Sequence, residues 1–515
     1  GQRKLLADSM VAHNAYKYFL GMKGYGQASK TVLNHITHLR NTIGGATFML
    51  ANGSNPFGKE TVEAFKILKN ELDILSTRKK GPTTGLFKDK EYIKEYDDLY
   101  EKFRSLGIVN NNVRAGEFRQ LIEDASKFGV EETSNRAMTK LTGVKVAGMN
   151  LGENMSKGLS PVMNIGQRAR KIAVGAQKLY IAEDDIFKIA SYMKELNTLK
   201  RANSFGPLKA TAKHAEDTTH LLRPIGELEQ EAARIVRNTL PNYDLVPQGL
   251  KQLRKMPIGN YFSFPAEMFR TSWHIMRQGG RELTDVSPII QARGAKRLAG
   301  FTGVGLLGSE AVSEFSKMVF GVTDKMESAI RNLMEPEYSK NTKQIYIRDI
   351  EGNLYKNNFS YVDPYDVIKK PFRTISLAFA DGKRTQKDRD KILFDGMVEA
   401  LTEFQKPFIE EAILTESIID IYNHYARNGQ TKDGRQIDGW NNDPDASEAA
   451  GDNLAASFKH AFASFIPGSV PQLSKLVQSW GEDSKLESGQ ELEPALELIA
   501  NFTGIRWNKV TEQYV

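Results

Sequence analysis

PNYDLVPQGLKQLRKMPIGNYFSFPAEMFRTSWHIMRQGGRELTDVSPIIQARGAKR, residues 241–297, is the stretch around which the chain is organised. Tyr243, Tyr261, Phe262, Phe264, Phe269 and Trp273 are interleaved with Lys251, Arg254, Lys255, Arg270, Arg277, Arg281, Arg293, Lys296 and Arg297. Nine cations face four carboxylates, Asp244, Glu267, Glu282 and Asp285, so most of the chain's net +7 sits here. Pro247, Pro257 and Pro265 cut the stretch into short pieces, because proline removes a helix donor and restricts the residue before it. Phe264-Pro265-Ala266-Glu267 reads as a helix start, with proline in the first turn and an acid near the positive end of the dipole. The spacing predicts a helix with Met268, Thr271, Trp273 and Ile275 on a packing face. Arg270, His274, Arg277 and Arg281 fall on a second face suited to anions.

On either side the dominant period is helical. Helices are expected over Lys59–Arg78 (Val62, Phe65, Ile67, Leu68, Leu72, Leu75), Glu91–Leu106, Arg114–Phe128, Asn164–Ala202 and Glu227–Asn238. Beyond the centre they are expected over Pro364–Asn423, with Pro371 and Pro407 as breakers, then Leu454–Phe465, Gln472–Trp480 and Glu493–Arg506. Pro467–Pro471 reads as a sharp turn, and Gly504 as the stop of the last helix. Gln344–Val362 alternates as a hairpin around Glu351-Gly352-Asn353. The expected fold is therefore mainly α, an elongated multi-helix assembly with one β-hairpin. Four regions are expected: 1–165, 166–343, 344–365 and 366–515. No period of 20–50 residues repeats, so a solenoid is not expected.

A chain of 515 residues with 40% hydrophobic and 26% charged residues suits a folded, water-soluble protein. It has no cysteine, which removes disulfides, thiolate metal sites and cysteine nucleophiles. A pI near 9.0 favours anionic partners. The chain begins at Gly1 with no signal-like apolar core, and reads as a piece of something longer. Leu298–Val322 is rich in glycine and apolar residues and is too short to span a bilayer. It reads as a buried helix or, through Phe301, Leu306 and Leu307, as a membrane contact.

Motifs for chemistry are weak. Gly303-Val304-Gly305-Leu306-Leu307-Gly308 fits a dinucleotide fingerprint, but no strand precedes it. No P-loop exists. Asp443-Pro444-Asp445-Ala446-Ser447 lacks the central glycine of a calcium loop. The pairs His35/His38 and His214/His220 lack a third ligand, so neither a metal nor a cofactor is expected. Glu183-Asp184-Asp185 and Glu410-Glu411 are explained by capping and solvation. The basic-aromatic centre is the better candidate, since cations beside stackable rings suit nucleic acid. The competing reading is an aromatic core with arginines snorkelling around it.

Several segments resemble the C-terminal region of large internal virion proteins of short-tailed bacteriophages. They are Ala182-Glu183-Asp184-Asp185-Ile186-Phe187-Lys188, Val236–Pro247 (VRNTLPNYDLVP), Gly259–Thr271 (GNYFSFPAEMFRT) and Arg297-Leu298-Ala299-Gly300-Phe301. Pro407-Phe408-Ile409, Pro467-Gly468-Ser469-Val470 and Gly504-Ile505-Arg506 follow in the same order. The likeness covers about residues 170–515. It implies a helical, multimeric component of the portal-proximal inner core, ejected at infection to help the genome cross the host envelope. It also implies portal, inner-core proteins and genomic DNA as partners in the virion interior, and the host inner membrane after ejection. Relatives carry peptidoglycan-cleaving or polymerase domains elsewhere in the polypeptide, and the resemblance assigns no catalytic residue to this segment. The expectation is a non-enzymatic structural protein; a virion-associated cell-wall hydrolase or a membrane-active module is the alternative.

Overall fold

The computed structural model describes residues 30–31, 33–77, 94–109, 145–146, 149–150, 167–204, 223–242, 245, 263–335, 339–374, 398, 413–430, 436–442, 449–462, 468–481 and 492–511. Helix takes up 72% of them, alongside a small three-stranded antiparallel sheet, so the chain is mainly α. The expected helix at Arg114–Phe128, the breaker Pro407, and the Glu410-Glu411 and Asp443–Ser447 motifs lie outside the described residues.

Helix α1 (His35–Ala51) opens on Asn34, whose side chain accepts a hydrogen bond from the Ile36 amide at 3.2 Å. Helix α2 (Lys59–Thr77) buries Ala64, Ile67 and Leu68, while Val62 and Phe65, expected inside, stand in solvent. Helix α3 (Lys94–Ser105) follows, then a short pair of strands, β1 (Lys145–Val146) and β2 (Met149–Asn150). Helix α4 (Gln167–Ser204) has 38 residues and is the axis of the body. Its middle buries Phe187, Ile189, Ala190 and Tyr192 against α1, α2 and α5 (Ile225–Thr239). Helix α6 (Ser263–Leu283) then packs antiparallel on α7 (Pro288–Gly300). One apolar core joins Phe48 and Met49 of α1, Phe103, the middle of α4, Val236 of α5, Met268 and Ile275 of α6, and Phe301.

The glycine-rich stretch after α7 is not one buried helix. A π-helical turn (Phe301–Leu306) interrupts it before α8 (Gly308–Phe320), which ends on Gly321 at φ 69°. The turn forms where Phe301 is held in the core and Gly305 lies against its ring. Helix α9 (Asp324–Met334) leads to β3 (Gln344–Arg348) and β4 (Leu354–Asn358), the expected hairpin, whose turn places Gly352 at φ 87°. Pro371 lies inside the helical run 366–374 and does not break it.

Helices α10 (Ile413–Ala426) and α11 (Ala449–Phe462) pair with each other, and α12 (Ser469–Ser479) pairs with α13 (Pro494–Thr503). Pro471, expected in a turn, lies in the first turn of α12, where its missing N–H costs nothing. Gly504, at φ 73°, ends α13 as expected. A third strand, β5 (Asn508–Lys509), pairs with β4 through Tyr355↔Lys509. The end of the chain also returns to its beginning. The His35 ring nitrogens meet Ser469 Oγ and Asn501 Oδ1, each at 3.0 Å, and Arg40 Nε donates to the Gly504 carbonyl.

Candidate functional site

The cations of the central segment separate into two groups. Arg293 and Arg297 were expected to face an anionic partner, but both are buried, Arg297 completely. They sit four residues apart on the inner face of α7 and meet Glu195 of α4 and Glu282 of α6. Arg297 Nη2 lies 2.8 Å from Glu195 Oε1 and 2.9 Å from Glu282 Oε1, and its Nε donates to Glu282 Oε2 at 2.9 Å. Arg293 pairs with Glu195 and donates to the Asn52 carbonyl at 2.6 Å and to Ser54 Oγ at 3.1 Å. Asn52, just past α1, accepts from Arg297 through Oδ1 at 2.8 Å and donates to the Thr239 carbonyl at 3.0 Å. Gln278 continues the chain of bonds from Glu282 to Arg234.

This ion-pair hub ties the ends of α1 and α5 to α4, α6 and α7. Burial alone would raise the Glu195 carboxyl, but Arg293 and Arg297 hold it down at about 2. Arg297 is raised despite its burial, because Glu195 and Glu282 surround it. The hub therefore keeps its charges at neutral pH. It organises the fold and is closed to any outside anion.

The second group forms a ridge on α6. Met268, Thr271 and Ile275 are fully buried as expected, whereas Trp273 is 61% exposed and belongs to the outer side. Arg270 is half-buried. It pairs with Glu267 at 2.7 Å and donates to the Arg237, Asn238 and Leu240 carbonyls, closing the end of α5. Arg277 and Arg281 stand in solvent beyond it, and among the described residues neither enters an ion pair. His274 lies between them. Burial first, then the charges of Arg270, Arg277 and Arg234, hold its imidazole below the ordinary value against the opposing pull of Glu267. Three guanidinium groups thus add to the effect of burial. Lys296 is exposed on α7, and Lys251, Arg254 and Lys255 lie outside the described residues.

The expected membrane residues also divide. Phe301 is buried in the core, Leu306 is half-buried against it, and Leu307 is exposed. The larger apolar surface lies one helix further, on α8, whose polarity is reversed. Ser309, Ser313, Ser316 and Lys317 point inward, while Val312, Phe315, Met318 and Val319 point to solvent. The reversal has a local cause. β3 is an edge strand, and α8 covers it with hydroxyls: Ser313 Oγ donates to the Gln344 carbonyl at 2.6 Å, and the Tyr346 amide donates to Ser316 Oγ at 3.1 Å. Only the strand beside α8 tells which of its sides is inside.

Other sequence candidates have local partners. His38 pairs with Glu183 at 2.7 Å, and Asp184 pairs with Lys188. Among the described residues no three His, Asp or Glu side chains gather as a metal site would require. Compared with family models, with curated proteins and with solved structures, the chain matches none.

Proposed function

We propose that this chain is a structural, non-enzymatic internal virion protein of a short-tailed phage. In this reading it is a multimeric part of the portal-proximal inner core, ejected to help genome translocation across the host envelope. The observation that carries it is the α6 ridge, where Arg270, His274, Arg277 and Arg281 line one helix face beside the exposed ring of Trp273. Such a face suits a polyanion, either packaged DNA or the acidic surface of a portal. The order of the resembling segments supports the setting.

The test is anisotropy with a labelled duplex across a salt series. Binding should weaken steeply with salt, and replacing Arg277 and Arg281 together with glutamate should lower affinity about tenfold and flatten the salt slope. Affinity should also rise as pH falls below the ordinary histidine range, because protonating His274 adds a charge to the ridge and a bound anion favours that form. Binding that ignores both substitutions would overturn the contact. For the setting, imaging of particles without imposed symmetry should place the chain on the portal axis inside the capsid; density on the outer tail would reject it.

A second reading, a membrane-active module, draws on the outer face of α8, since a contiguous exposed apolar patch marks an interaction surface. Among the described residues no helix is long and apolar enough to cross a membrane, so the contact would be interfacial. Liposome flotation should then be lost on replacing Phe315 and Met318 with aspartate, and unchanged flotation would reject this reading.

A further inference from the structure

A cavity of about 430 Å³ opens where the end of α4, the first half of α5 and the α6–α7 connection meet. Its volume is in the range of small-molecule sites. The wall from α4, α5 and α7 is aliphatic, built from Leu199, Leu228, Ile235 and Ile290. Its floor is the polar side of the ion-pair hub, where Glu195, Glu282 and Arg293 are already saturated by one another and by Arg297. Most groups at the mouth are satisfied too. Glu231 is held by both Arg234 nitrogens, at 2.8 and 2.7 Å, and Asn203 exchanges two bonds with the backbone of Arg223. Arg223 itself reaches Glu227 at 3.4 Å.

Three groups on the α6–α7 connection stand apart. Arg281, in the last turn of α6, enters no ion pair among the described residues, although it is close enough to help lower the Glu231 carboxyl. Asp285 accepts from the Ser287 amide through Oδ1 at 2.8 Å, and among the described residues its second oxygen has no partner. Ser287 is 8% exposed, precedes α7 without a side-chain cap bond, and lines the cavity. Asp285 lies two residues past the end of α6, and it forms no ion pair with Arg281. A cation, an anion and a serine thus line the same space as an aliphatic wall.

We propose that this cavity binds a small zwitterion with an aliphatic body, a short free peptide of dipeptide size, with its carboxylate on Arg281 and its ammonium on Asp285 and Ser287. An anion alone would meet Asp285, and a cation alone would meet Arg281; a molecule carrying both charges meets neither penalty. The aliphatic side chain covers Leu199, Leu228 and Ile290. The proposal uses residues of the cavity wall; it shares Arg281 with the α6 ridge, whereas Asp285 and Ser287 belong to the cavity alone.

Calorimetry on the full chain tests it with leucyl-leucine as the probe, against N-acetyl-leucine, which keeps only the anion, and leucinamide, which keeps only the cation. The dipeptide should bind at least about tenfold more tightly than either analogue, the equivalent of about 1.4 kcal/mol. Asp285→Asn preserves the acceptor for the Ser287 amide while removing the charge, and Arg281→Gln removes the other charge from an exposed position. Each should reduce dipeptide affinity to that of the single-charge analogues with the melting temperature unchanged. Absence of heat with millimolar dipeptide, equal binding of N-acetyl-leucine, or wild-type affinity in Arg281→Gln would each overturn the proposal. Should Asp285→Asn fail to fold, Arg281→Gln and the two analogues still decide it.

Discussion

Replacing Arg297 with methionine is expected to lower the unfolding free energy by about 3–5 kcal/mol, the cost of leaving buried charge without its counter-charge. Arg297 is fully buried and touches Glu195, Glu282 and Asn52 at once. Without it Glu195 keeps Arg293, but Glu282 keeps only the Gln278 amide. Urea melts monitored by circular dichroism measure the loss. Arg281→Met, on the exposed side of α6, is the control and should stay within about 0.5 kcal/mol of wild type. Equal effects would mean that the hub is not desolvated.

Acid provides an independent check on the same residues. Glu195 titrates at about 2 in the fold against an ordinary 4.5, so its folded value is depressed. Stability from this group is fully present above 4.5 and is lost as pH falls toward 2. In Arg297→Met, Glu195 has lost one of two guanidinium partners and its folded value moves back toward the ordinary one. The stability difference between wild type and variant should therefore shrink as pH falls from about 5 to 2. A constant difference would place the cost in packing volume instead of charge.

The hub also shows where sequence reading reached its limit. The helices were legible because apolar residues recur at helical spacing, and the hairpin because Ile345 and Ile347 alternate ahead of a Glu351-Gly352-Asn353 turn. Trp273 does not share the packing face expected for it with Met268, Thr271 and Ile275, because it lies about 200° around the helix from Thr271 at 100° per residue. Its exposure follows from that angle. Arg293 and Arg297 read as anion contacts because they belong to the run of cations interleaved with stackable rings. A signal was nevertheless present in α7, where the intervening surface positions Ala292, Ala295 and Ala299 are alanines and both arginines share the opposite face with Gly294. No sequence pattern could name Glu195 as their partner, 98 residues before Arg293. The two-residue strand β5 was equally hidden, since strands of that length carry no period.

Helices α7 and α8 thus share one feature, polar residues on the inner side, with different causes. In α7 the inner polarity is ionic and joins five helices; in α8 it is hydroxylic and closes a sheet edge. Ion pairs buried at this cost favour one arrangement of helices more than they add net stability. Under the proposed function that balance suits a chain that must open and re-form, because the same charges are well solvated once the helices separate.

The approach of α6 to α7, which brings Glu282 to Arg297, rests on Gly294. A Cβ there would stand 2.7 Å from Glu282 Cβ and 2.8 Å from both the Gly279 oxygen and the Leu283 nitrogen, and two of those three atoms are backbone. Alanine in place of a helical glycine ordinarily gains up to about 1 kcal/mol. At Gly294 the sign should reverse, to a net loss of about 1–3 kcal/mol, because the helices must move apart. Gly280→Ala is the matched comparison: it lies in α6 with nothing within 4 Å of the added atom, and should stabilise. Since moving α6 also draws Glu282 from Arg297, Gly294→Ala and Arg297→Met should lose less together than the sum of their separate costs. Additive losses would show that the helix crossing and the ion-pair hub are independent, and equal gains at Gly280 and Gly294 would show that the two helices do not meet there.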